Sequence, residues 1–274
     1  MSGVLETWRE GRGLPGVLVI DAHTHVGAWP HGATFESIAD AGRGSIAAMD
    51  ANGVDAACVL SGGYMGPGSD YKLGNDALLQ LVKTAPDRLI GFAHVNPNDS
   101  LDSIMRELER VHEAGLRCIK LLNAYQQGYP GDGPNLMEVY RFAERHNMLV
   151  FNHWWSIEEI KKIAPKFPSV DFMFAHYGSH QDDLLREMPN VYANIWTLAP
   201  LGFLERGIRN VGPEKFTLGS DAFMNPMSVG IGLVVYADIP DEHKRMILGA
   251  NMARRLEKVG ALPEKIKKVL SAES

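Results

Sequence analysis

Eight short apolar runs, each ending in polar residues and each followed by a stretch with helical spacing, constrain this chain more than any other feature. They lie at 17–20, 54–60, 88–95, 116–122, 148–151, 170–175, 191–195 and 216–219. Continuous apolar runs of this length are the mark of strands buried on both faces. The helices between them announce themselves locally. Asn52-Gly53 is a C-terminal stop, Pro86 ends a helix over 76–84, and Ile104, Leu108 and Val111 recur at helical spacing within 101–113. Ser156 with Glu159 three residues on forms a capping-box pattern. Further helices are predicted over 135–146, 182–188 and 201–210. A long first loop is predicted over 27–44, and 226–269 is expected to be helical with interruptions at Pro240 and Gly249.

Strands alternating with helices imply right-handed βαβ units, which close either as an open doubly wound sheet or as a barrel. An open sheet usually carries a Gly-rich phosphate turn after its first strand. Here that place holds Asp21-Ala22-His23-Thr24-His25 instead. A single (β/α)8 barrel typically runs to about 250 residues, and the chain has 274. The fold class expected is therefore α/β, a (β/α)8 TIM barrel forming a single domain over 1–274 with a C-terminal helical extension.

In such a barrel the polar groups at the C-terminal strand ends converge on one mouth. His23 and His25, one residue apart on a strand, leave it on the same side. Asp21 shares that parity and is expected to orient one of the rings. The competing reading is a polar strand end whose histidines bond to backbone. At later ends stand Lys120 within the fourth run, His153 after the fifth, His176 after the sixth and Asp221 after the eighth. Alone, either late histidine reads as a satisfied core residue. Together, three imidazoles and a carboxylate suit a divalent transition metal such as Zn²⁺ with one position left open, and a fourth histidine remains over.

The segments IDAHTH at 20–25, FNH at 151–153, FAHYG at 174–178, LGSDAF at 218–223 and GANMARRL at 249–256 together resemble the amidohydrolase superfamily. The likeness is to its amidohydrolase-2 branch of metal-dependent barrel hydrolases and related decarboxylases. It implies that His23, His25, His153 and Asp221 hold the metal. His176 would act beside it as catalytic acid/base or as polariser of the bond under attack, and Asp221 would also take a proton from metal-bound water. One divalent ion is implied, zinc first, with manganese, iron or cobalt as alternatives. In some members a carbamylated lysine on the fourth strand bridges a second metal; Lys120 is either such a bridge or a structural, substrate-facing lysine. Where the branch commonly has histidine and proline after this lysine, the chain reads Leu122-Asn123-Ala124.

The activity implied is hydrolysis of a C–O or C–N bond in a lactone, ester or amide by a metal-bound hydroxide, with a metal-dependent decarboxylase of a small unsaturated or aromatic carboxylic acid as the alternative. A barrel kept for binding alone is the third reading. The need for a metal is physical: lowering the pKa of water from 15.7 to about 7 is worth about 12 kcal/mol toward the bound hydroxide.

Aromatic residues crowd the exit segments: Trp29, Tyr64, Tyr125, Tyr129, Trp154, Trp155, Tyr177 and Trp196. They either pack loops or line a pocket for a flat or apolar substrate. The substrate-binding set expected from these segments is Trp29, Tyr64, Asn123, Trp154, Tyr177 and Trp196, with Asn96 and Asn194 as further polar contacts. Arg43 and Lys120 are the cations near the mouth, which disfavours a multiply charged carboxylate substrate. His112, His146 and His243 fall on helices, His180 begins one, His94 reads as a core residue, and His31 is carried by a loop.

A net charge of −6, with no Lys/Arg cluster outside the last helix, argues against nucleic acid or a membrane surface as partner. The partner expected is a small-molecule substrate, and a homodimer or larger homo-oligomer is compatible. Residues 1–16 lack the apolar stretch of a signal peptide, and no run approaches the roughly 20 apolar residues of a membrane span, so a cytoplasmic location is expected. Cys58 and Cys118, each inside an apolar run, read as buried reduced thiols.

Overall fold

The computed structural model describes residues 3–11, 13–26, 36–61, 70–195, 200–222 and 224–273. Every predicted apolar run overlaps a strand, the first only at Ile20: β1 (Ile20–Val26), β2 (Ala56–Ser61), β3 (Leu89–His94), β4 (Cys118–Leu121), β5 (Leu149–Asn152), β6 (Phe172–Phe174), β7 (Val191–Asn194) and β8 (Phe216–Thr217). They form one parallel sheet in sequence order. Its two ends are joined by main-chain hydrogen bonds from Ala22 N–H to Leu218 O at 2.9 Å, from Asp221 N–H to His23 O at 2.9 Å, and from His25 N–H to Ala222 O. The protein is thus a (β/α)8 barrel.

Helices wrap it: α1 (Val4–Arg9), α2 (Ile38–Asn52), α3 (Tyr71–Thr84), α4 (Leu101–Glu113), α5 (Pro134–Arg145), α6 (Ile157–Ile163), α7 (Asp182–Glu187), α8 (Phe203–Val211), α9 (Met227–Val235), α10 (Asp241–Arg245), α11 (Asn251–Lys258) and α12 (Glu264–Glu273). Local chemistry sets their ends. The Ser156–Glu159 capping box is present at α6, and Gly53 closes α2 in the left-handed region at φ 65°, where a side chain would clash. No helix among the described residues is long and apolar enough to cross a membrane.

Two apolar layers follow from the period-2 alternation of the strands. Val59, Ala93, Ile119, Val150, Phe172 and Ala193 face the helices. Ile20, Cys58, Phe92, Cys118, Phe151 and Met173 fill the barrel, whose floor is closed by Met252, Leu256, Leu262 and Ile266 from the C-terminal helices. Both cysteines are buried and unbonded to each other; burial pushes each thiol's pKa up.

Two sequence expectations are corrected. The first loop is shorter than 27–44, because Ser37 caps α2 by accepting from Asp40 N–H; the small residues of 38–44 concealed a helix. Gly249 does not interrupt the C-terminal helices either. It lies in a π-helical turn, Met246–Ala250, that joins α10 to α11. The glycine is required by packing, since a Cβ there would stand 2.3 Å from Leu18 O.

Candidate metal centre and active site

The site begins with an irregularity in β1. Asp21 pairs with Ala57 of β2 but Thr24 pairs with Val59, so Ala22 and His23 together oppose Cys58. This is a β-bulge, a device that re-aims side chains at barrel rims. Ile20 and Ala22 belong to the inner layer, and an unbroken period of two from there would send His23 and His25 outward to the helices. After the bulge His25 pairs with Leu60, an inner residue, so both imidazoles enter the mouth.

The bulge also corrects the expectation for Asp21. Its Oδ1 accepts from the backbone amides of His23 at 3.1 Å and Ser220 at 3.0 Å, so it ties β1 to the segment after β8; no hydrogen bond to an imidazole is found. Burial raises its pKa to about 6 against the pull of the Ser220 and His23 bonds.

His23, His25 and Asp221 come together. The two Nε2 atoms are 3.0 Å apart, and Asp221 Oδ1 stands 3.0 Å from that of His25 and 3.4 Å from that of His23. All three residues are buried, and their ligating atoms lie within 4.8 Å of one another. Bonds of roughly 2.0–2.2 Å at tetrahedral angles separate ligand atoms by about 3.4 Å, so the donors fit one divalent transition metal. Their protonation suits it too. Burial first, then the Lys120 charge, holds His23 well below the usual imidazole range, and burial lowers His25 against Asp221. At Asp221 burial pulls upward, but the His25 bond and the neighbouring charges outweigh it and the carboxyl is lowered. Neutral imidazoles and a carboxylate are the forms a metal takes.

Across the mouth, the His176 ring lies 5.3 Å from that of His23 and 4.7 Å from that of His153. His153 stands outside the three-residue cluster, and its Nε2 is 3.1 Å from the Tyr125 hydroxyl. Burial, then Lys120, pushes His153 down to about 2; burial pushes His176 down to about 4 against Asp221. His176 N–H donates to Asn194 Oδ1 at 2.9 Å. Both His176 and Asp221 have positive φ, 59° and 61°, a conformation sparsely used by residues other than glycine and found at functional sites.

Lys120 of β4 lies beneath the imidazoles. Its Nζ is buried with no hydrogen-bond partner among the described residues, 3.7 Å from the centroid of the Phe151 ring, and burial lowers its pKa to about 7 against the attraction of Asp221. Among the described residues it is the cation acting on His23, His25, His153, His176 and Asp221 alike. Arg43 is exposed on α2 and paired with Asp40.

The expected substrate contacts divide. Tyr177 belongs to the outer layer, its ring against Phe203 and Phe216 and its hydroxyl on Asp182; following His176, it projects the opposite way, which corrects its assignment to the mouth. Asn123 gives Nδ2 to Tyr129 O and takes Asn152 Nδ2 on Oδ1, so its amide braces the loop after β4. Trp154 is half-exposed near His180. Trp29, His31, Tyr64 and Trp196 lie outside the described residues. His94 is the core residue expected, bonded through Nδ1 to Lys120 O and through Nε2 to Gln126. Asn194, expected as a substrate contact, instead accepts from the His176 amide, and Tyr125, one of the exit aromatics, meets His153.

A barrel whose closing seam carries two histidines and an aspartate matched to a divalent metal defines a class of metal-dependent barrel enzymes. Residues 20–256 match the family model described as Amidohydrolase, the amidohydrolase-2 group, and the chain belongs to that family. No curated protein matches it. Among solved structures it is similar to an uncharacterised TIM-barrel protein of Bordetella bronchiseptica (17% identity, 89% of this chain and 100% of that one, TM-score 0.73). It is also similar to 5-carboxyvanillate decarboxylase of Novosphingobium aromaticivorans complexed with manganese and 4-hydroxy-3-methoxy-5-nitrobenzoic acid (17%, 88% and 96%, 0.70). A third is 2,6-dihydroxybenzoate decarboxylase from Rhizobium (14%, 88% and 98%, 0.69).

Proposed function

We propose that this protein is a metal-dependent, non-oxidative decarboxylase of a small aromatic or unsaturated carboxylic acid. The observation that carries the reading is the seating of the His23, His25 and Asp221 donors in a barrel whose solved relatives include decarboxylases of hydroxylated benzoic acids. This reverses the order expected from sequence, where hydrolysis stood first.

His23, His25 and Asp221 would hold the metal, joined by His153; zinc and manganese are the leading candidates. When bound, the ion supplies positive charge and Lewis acidity for the oxygens of the substrate. Lys120, in its protonated form, adds a second positive field that its dry surroundings strengthen. In the reaction the C–C bond to the carboxylate breaks, its electron pair stays on the carbon, carbon dioxide leaves, and a proton takes its place. No oxidant or reductant is needed. His176, neutral at physiological pH and facing both His23 and His153, takes up and delivers that proton, with Asp221 as its electrostatic partner.

A second reading, hydrolysis of a lactone, ester or amide, is favoured by one observation: among the described residues no arginine joins Lys120 in acting on the site's imidazoles and Asp221. The test runs zinc- or manganese-loaded protein in deuterium oxide with hydroxylated benzoic acids, and in heavy-oxygen water with lactones, esters and amides. Carbon dioxide release with one deuterium at the vacated carbon supports decarboxylation. Heavy oxygen in the product without carbon dioxide replaces it with hydrolysis.

A further inference from the structure

His153, the donor proposed to complete the metal set, stands apart from the three that already meet. What engages it is Tyr125, whose hydroxyl lies 3.1 Å from Nε2 and whose ring meets the imidazole edge-on at 4.9 Å between centroids. Tyr125 is 55% exposed. An exposed tyrosine on a slack loop would carry no meaning, but this loop is pinned throughout.

Tyr125 N–H donates to Leu122 O at 3.0 Å, and Gln126 N–H and Tyr129 N–H both donate to Asn123 O at 3.1 Å. Asn98 Nδ2 donates to Gln126 O at 2.9 Å. The Gln126 side chain is buried and donates through Nε2 to His94 Nε2 at 2.9 Å, and the other nitrogen of His94 is held by Lys120 O. Asn75 in turn grips both backbone polar groups of His94. A buried polar ladder from α3 through β3 therefore anchors the backbone that presents Tyr125.

We infer that Tyr125 is a latch on the metal centre: its hydroxyl donates to His153 Nε2 and competes with the metal for that nitrogen. Loading exchanges the O–H···N bond for a metal–nitrogen bond, and the freed hydroxyl turns to the mouth, where it can donate to a substrate oxygen. No covalent bond is made or broken in the protein. Tyr125 acts on the metal through His153 and is thus a positioning residue. The inference rests on the proposal that His153 is a ligand, not on which reaction the site performs.

The sign of one measurement decides it. Zn²⁺ affinity of the full chain, from competition with a chromophoric chelator, is compared between wild type and Tyr125→Phe, which keeps the ring and its packing. Losing the competing bond should tighten binding by roughly two- to tenfold, the worth of one net hydrogen bond. Zn²⁺ should also produce a near-ultraviolet tyrosine difference spectrum in wild type that Tyr125→Phe lacks. Weaker binding by the variant would mean that the phenol supports the ligand from behind, and unchanged affinity would mean that His153 is not contested; either overturns the latch while leaving the metal reading intact. Wild type that takes up no Zn²⁺ overturns both.

Discussion

The two sides of the barrel mouth are built differently. On the seam side, β1 and the segment after β8 are locked by backbone bonds, and Asp21 clamps the amides of His23 and Ser220. The three donors there already lie at ligand–ligand distances. On the far side, His153 and His176 are reached through side-chain contacts: a phenol on one, and a buried asparagine under the backbone of the other. Closure of the barrel thus brings together the three donors proposed for the ion, while the far-side rings depend on side chains from after β4 and from β7. Rigid placement of charge-stabilising donors is what preorganised electrostatics requires.

The contrast can be broken most severely on the seam. His23→Ala should abolish the roughly one equivalent of divalent metal expected by elemental analysis of the wild type; a variant that keeps its metal would move the seat elsewhere. On the far side, His176→Asn should keep the metal and lose turnover by roughly 10²–10⁴, the usual contribution of a proton-transfer group. Loss of metal as well would transfer His176 to the ligand set. Asp21→Ala leaves two buried amides without an acceptor and should lower stability by roughly 2–4 kcal/mol, read by denaturant unfolding of metal-free protein.

Acid should act through the buried imidazoles, His94 of the core among them. Its pKa is about 4 in the fold, where burial opposes protonation, against 6.5 for a solvent-exposed imidazole. The unfolded chain therefore takes the proton first, and stability present above pH 6.5 is lost as pH falls toward 4, by about 3 kcal/mol at most. His94→Gln should make that limb shallower in metal-free protein, where His23, His25, His153 and His176 contribute to it as well; an unchanged slope would remove His94 from the titration.

Much of the fold was legible because each strand of a parallel barrel is buried on both faces and so writes a continuous apolar run. Ser156 and Glu159 similarly wrote the start of α6. The site was legible in part, since His23, His25 and Asp221 end runs that the barrel must bring together. The β1 bulge was not, because it depends on pairing with β2, which residue order alone does not record. Nor could Tyr177 be told from His176 without knowing which of two adjacent residues faces inward. Asn123 looked available for substrate because its bonds depend on the fold of the loop that returns Tyr129 O to it and on the pairing that sets Asn152 beside it.

His176 and Asp221 both sit at positive φ, and histidine and aspartate are among the few side chains that tolerate it. Backbone and chemistry therefore narrow these two positions together. Exchange of Asp221 for glutamate would move the carboxylate by a methylene and also ask a less tolerant residue to hold a left-handed turn, so its effect would mix two causes. Asparagine, at ease in that turn, is the replacement at either position that reports on chemistry alone.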